Sequence, residues 1–155
     1  MVHHRAIPLP LAGVVFLGGC GAAATAPRLG ASSVSVRDNT PDGVVLSLLV
    51  RADNPGASAL PLRDVEYSLE LDGREVFRGV RSGQATLRRF GSQEIELPMA
   101  FARPSPDVVG SRPYRVRGRM TYLVPGALSE VLFDASVRRP SIGFEITGDV
   151  EIPAP

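Results

Sequence analysis

The sequence has no lysine, no tryptophan, a single cysteine (Cys20) and two histidines, His3 and His4. Each scarcity removes a class of chemistry. A phosphate loop of the glycine-rich type needs its lysine, and all 17 basic residues here are arginine. That uniformity reads as genomic base composition, so an arginine carries little weight as a sign of anion binding. One cysteine cannot form a disulfide within the chain, whatever the compartment permits. With both histidines in the first four residues, the remainder lacks the commonest general base and transition-metal ligand. Serine–histidine–aspartate and cysteine–histidine sites are thereby excluded from it. Paired carboxylates could in principle cleave glycosides. The acids here instead alternate along strand patterns as solvated faces do, and there are few aromatic rings to stack a sugar. No catalytic residue, metal or cofactor is expected.

A chain of 155 residues is long enough to bury one ordinary core and short for two. Its apolar fraction of 44% and charged fraction of 21% are globular, while 16 glycines and 14 prolines favour many turns over long helices.

The first nineteen residues stand apart. Met1 to Arg5 is a short basic start, and Ala6 to Gly19 is apolar and uncharged, the order of a secretory signal. A membrane-spanning helix needs about 20 apolar residues to cross roughly 30 Å; this run is shorter and contains Pro8 and Pro10. At its end, Leu17-Gly18-Gly19-Cys20 resembles the bacterial lipobox. In that family the thiol is diacylated and the bond before the cysteine is cut. Two acyl chains, at about 0.8 kcal/mol per buried CH₂, suffice for stable anchoring where one is marginal. A lone core cysteine is the plain alternative. It fits poorly before Gly21 to Pro27, a tether with no core to enter. The reading is therefore a signal over residues 1–19, a tether over 20–29 after acylated Cys20, and a domain over 30–153. The partner so implied is membrane lipid. Gly21 rather than Asp after the cysteine points, by resemblance to sorting rules in diderm bacteria, to the periplasmic face of the outer membrane rather than the inner membrane.

From Ser33 onward the signal has period two, the mark of half-buried strands. Val44, Leu46, Leu48, Val50 and Ala52 alternate, as do Val65, Tyr67, Leu69 and Leu71. Asp72-Gly73 and a resumed apolar pattern then predict a tight hairpin turn. Further alternation covers Ile95 to Phe101, Tyr114 to Tyr122, Val131 to Val137 and Ile142 to Ile152. About seven strands at roughly ten-residue spacing predict an all-β antiparallel sandwich. Ser105 to Ser111 is the one helix candidate, with Ser105 as cap and Pro106 in the first position.

Arg115, Arg117 and Arg119 share one strand face. They form either a basic patch for anionic headgroups or cross-strand pairs with an acidic neighbour such as the strand of Glu66 and Glu70. Once the signal is removed, 16 arginines face 16 acids, which favours the pairs and disfavours nucleic acid as a partner.

Residues 48 to 79, from "LLVRADNPG" through "LPLRDVEYSLELDG" to "REVFRG", resemble the type 2 late-embryogenesis-abundant family, also called the water-stress and hypersensitive-response (WHy) domain. "SQEIELPMAF", "YRVRGRMTYLVPG" and "GFEITGDVEIP" extend the likeness over about residues 30 to 153. Gly56 departs from the family, which commonly has Asn there. The resemblance implies a sandwich similar to fibronectin type III domains, no catalytic residues, and an association with desiccation or stress. Asn54-Pro55 reads first as a turn: Asn closes its own turn and Pro ends the strand. A recognition loop is the alternative. Two other functions stay open: assembly with a protein partner by sheet-edge pairing, and carriage of a lipid or amphiphile in a cavity lined by residues such as Phe77, Phe101 and Phe133.

Overall fold

The structure is a computed structural model that describes residues 25–103 and 109–155. Cys20, Leu17, Gly18, Gly19 and the whole signal reading lie outside the described residues.

Alternating apolar residues become strands because each strand then offers one face to the core. They are β1 (Arg28–Asn39), β2 (Gly43–Asn54), β3 (Leu60–Leu71), β4 (Arg74–Ser82), β5 (Thr86–Leu87), β6 (Gly91–Ala102), β7 (Gly110–Tyr122) and β8 (Ser141–Ile152). One sheet has the order β1-β2-β6; the other runs β4-β3-β7-β8, with β5 added to β3. All pairings are antiparallel. The expected all-β sandwich is what forms. Leu46, Leu48 and Val50 of β2 pack with Leu69 and Val65 of β3, Leu97 and Met99 of β6, and Val116 and Met120 of β7, all buried. β2 is the middle strand of its sheet and β3 and β7 are internal to theirs, which accounts for the most regular apolar alternation lying there.

Asp72 and Gly73 have φ of 50° and 76° and join Leu71 to Arg74. Two successive positive φ values match the right-handed strand twist, and Asp-Gly tolerates them.

Two expectations are corrected. Val131 to Val137 is not a strand: Ala127–Asp134 is a helix, α1, with Phe133 its buried residue. The apolar residues there satisfy period two and also the helical spacing of Leu128, Val131, Leu132 and Ala135. Pro125-Gly126 in front and the good helix formers Ala127, Leu128, Glu130 and Leu132 tip the choice. The helix expected over Ser105 to Ser111 falls mainly on residues outside the described ones, and its last two residues, Gly110 and Ser111, open β7 instead.

The register gives the sandwich two distinct ends. One carries the start of β1, the β2–β3 and β5–β6 connections and α1. The other carries the β1–β2 turn, Asp72-Gly73 and the end of β8, where Asn39 Nδ2 donates to the Pro153 carbonyl at 2.9 Å.

Candidate functional site

The Asn-Pro turn is a structural hub. Asn54 is 2% exposed. Its Nδ2 donates to the carbonyls of Ser58 at 2.8 Å, Arg88 at 3.1 Å and Leu87 at 3.3 Å. Its Oδ1 accepts the Gly56 N–H at 3.0 Å, the local turn that Asn favours. Phe90 N–H donates to the Gly56 carbonyl at 3.1 Å. One side chain thus ties the β2–β3 connection to the β5–β6 connection. A Cβ at Gly56 would sit 3.2 Å from Asn54 Oδ1 and 3.6 Å from the Thr25 side chain, so the glycine admits a close approach that the family's Asn would crowd. The Asn54 amide is buried, with its N–H groups directed at backbone carbonyls and its oxygen at the Gly56 N–H.

Tyr67 joins the sheets. Its hydroxyl donates to the Pro98 carbonyl at 2.6 Å, its ring packs on Phe77 at 5.3 Å between centroids, and burial pushes the phenol pKa up. Tyr67→Phe should lower unfolding free energy by about 1 kcal/mol, since it strips a partner from a half-buried carbonyl without changing ring packing. Urea denaturation measures this directly.

The arginine stripe lies on the outer face of β7 between two acidic strands. Arg115 is 3.6 Å from Glu70 and 3.5 Å from Glu145; Arg117 is 3.4 Å and 3.3 Å from the same two carboxylates. Arg119 stands opposite Glu66 in the register. Arg115 and Arg117 therefore form a lattice of surface pairs with Glu70 and Glu145, each of modest energy. Glu96 on β6 is held below the usual carboxylate range first by the Ser47 hydroxyl, with Arg37 adding to it.

Phe77, Phe101 and Phe133 do not share a cavity. Phe133 borders a pocket of about 300 Å³ with Tyr122, Leu123 and Arg138 under α1. Phe101 edges a shallow depression at the opposite end, and Phe77 lies on Tyr67. Arg139 and Arg63 hold their guanidinium groups 5.1 Å and 5.9 Å from the Phe133 ring centre. Among the described residues no group of three His, Cys, Asp or Glu could hold a metal. None of their helices is long and apolar enough to cross a membrane.

These features define an antiparallel β-sandwich whose polar side chains serve turns, sheet-to-sheet contacts and surface pairs. The chain belongs to the late embryogenesis abundant type 2 family, whose profile, described as late embryogenesis abundant protein, matches residues 49–150. That family is generally non-enzymatic. No curated protein matches the chain in sequence. Its fold is similar to the solution structure of a late embryogenesis abundant protein, at a TM-score of 0.65 and 18% identity over 83% of this chain and 72% of that one. It is similar also to the solution structure of an Arabidopsis thaliana protein, at a TM-score of 0.64 and 16% identity over 89% of both chains. A crystal structure of a protein from Archaeoglobus fulgidus aligns at a TM-score of 0.54 and 11% identity, over 79% of this chain and 97% of that one.

Proposed function

We propose that this chain is a lipid-anchored protein of the cell envelope, held by acylated Cys20 at the periplasmic face of the outer membrane. Its sandwich acts there as a non-enzymatic protective or binding module during water stress. The observation that carries the reading is Leu17-Gly18-Gly19-Cys20 at the end of the apolar leader, eight residues before β1 begins at Arg28. A signal, a small-residue junction, the sole thiol and a short Gly-Ala tether fall in the order that attachment requires. Family membership supplies the stress theme. The buried Asn54 network and the paired Arg115 and Arg117 leave those groups to stability, which supports a binding surface or protectant over an enzyme.

The other two readings find less support. β6 is an edge strand with Pro98, Glu94 and Glu96, and β1 is an edge strand with register shifts at Ala31/Ser33 and Val36/Asp38. Proline, charge and bulges are the devices that discourage strand addition. Carriage would need one deep apolar cavity, and Phe77, Phe101 and Phe133 stand apart.

Cys20→Ala should move the protein from the membrane fraction to the soluble fraction of fractionated cells. Unchanged partitioning would defeat the anchoring.

A further inference from the structure

Among the described residues six large apolar side chains are exposed, and four of them, Phe90, Leu128, Val131 and Val137, belong to the loops and helix of one end. Single exposed apolar residues need no explanation, but their concentration on one end does. Two chain segments there couple an apolar side chain to an arginine doublet: Arg88-Arg89-Phe90 before β6, and Val137-Arg138-Arg139 after α1. All six of these residues are exposed. Phe90 is 72% exposed on a backbone with φ of 52°, and Val137 is folded back on α1 by its N–H donating to the Leu132 carbonyl at 2.9 Å. Glu130 and Asp134 of α1 are the acids on these segments, so the four arginines leave a positive surplus. Apolar side chains interspersed with arginine suit the boundary between anionic headgroups and acyl chains.

The same end receives the tether. Thr25 lies against Gly56, and Cys20 is five residues before it. Five residues span at most about 18 Å when fully extended. Strands of twelve residues separate the two ends by about 40 Å, so an upright domain can bring only the α1 end to the bilayer.

We propose that this end is a second membrane contact. Phe90, Leu128, Val131 and Val137 enter the headgroup boundary of an anionic bilayer, and Arg88, Arg89, Arg138 and Arg139 engage its phosphates. The inference rests on the anchoring reading above, which fixes the end that faces lipid.

The test uses the full acylated chain in phosphatidylethanolamine–phosphatidylglycerol vesicles carrying a lipid-borne quencher. Acylation consumes the only native thiol, so Leu128→Cys or Ala154→Cys supplies a unique site for a fluorophore. Both positions are exposed, and Ala154 lies at the opposite end, beyond β8. Quenching at position 128 should exceed that at 154 by about fivefold and should fall between 0.1 M and 1 M salt, as the Debye length drops from about 10 Å to 3 Å. Equal quenching at the two positions in a membrane-bound chain overturns the docking and leaves the anchor standing. If the fluorophore instead labels Cys20 of the wild-type chain, the anchor reading falls. Quenching in a Cys20→Ala, Leu128→Cys chain mixed with the same vesicles then judges the docking alone: its presence supports the contact and its absence overturns it.

Discussion

Asn54→Asp should destabilise the domain by about 3 to 4 kcal/mol at neutral pH, well beyond the roughly 2 kcal/mol expected for Asn54→Ala. The two differ because of what faces Nδ2: the carbonyls of Ser58, Leu87 and Arg88. Alanine leaves those acceptors without their shared donor. Aspartate places a second acceptor, and a charge, among them in a site only 2% exposed. Burial and facing carbonyls both disfavour the charged form and would raise the folded-state pKa of the introduced carboxyl above its unfolded value. A raised carboxyl pKa makes stability greatest below the unfolded pKa and progressively lost as pH rises through the folded pKa. The Asp variant should therefore recover part of its deficit on acidification while the Ala variant does not. Urea unfolding at several pH values checks both; equal, pH-independent losses would remove the hub from the explanation of this turn.

Gly118→Val should cost about 1 to 3 kcal/mol, the range for forcing extra methyl groups into a filled space. On strand propensity alone it should help, since valine suits a strand and glycine weakens one. The Phe144 ring reverses the sign. Gly118 and Phe144 are opposite each other on β7 and β8, and a Cβ on Gly118 would overlap the ring. Tyr114 lies against Gly148 in the same way, with its hydroxyl oxygen 2.9 Å from the place of a Cβ, and Phe77 covers Gly79. These aromatic side chains fill the gaps that strand glycines leave. In a Phe144→Ala background, Gly118→Val should be neutral or stabilising. The double-mutant cycle then shows a coupling of about 2 kcal/mol, and additive losses would refute the ring contact as the cause.

What could be read from sequence follows from how local each signal is. Val44 to Ala52 and Val65 to Leu71 announce their strands because side-chain period and burial coincide there, and Asp72-Gly73 announces its turn by its own backbone preference. α1 was ambiguous because Leu128, Val131, Leu132, Phe133 and Ala135 fit both periods, and over eight residues neither excludes the other. The strand of Glu66 and Glu70 was a legible partner for the arginine stripe. Glu145 was not, because its place beside Arg115 and Arg117 depends on the β7–β8 register. Asn54 was legible as a turn residue but not as a hub, because Leu87 and Arg88 are 33 and 34 residues away in sequence. The Gly118–Phe144 contact likewise needs a register that no local pattern supplies. The arginine doublets beside Phe90 and Val137 are visible in the sequence, yet only the fold puts them on the end where Thr25 lies against Gly56.

Intact-mass spectrometry of the protein extracted from its native membrane tests the anchored-module reading most directly. An anchored protein should appear as a chain beginning at Cys20, heavier than its sequence by a diacylglycerol and usually one further acyl group. A chain that retains Met1, or one cut elsewhere with Cys20 as a free thiol, would contradict it.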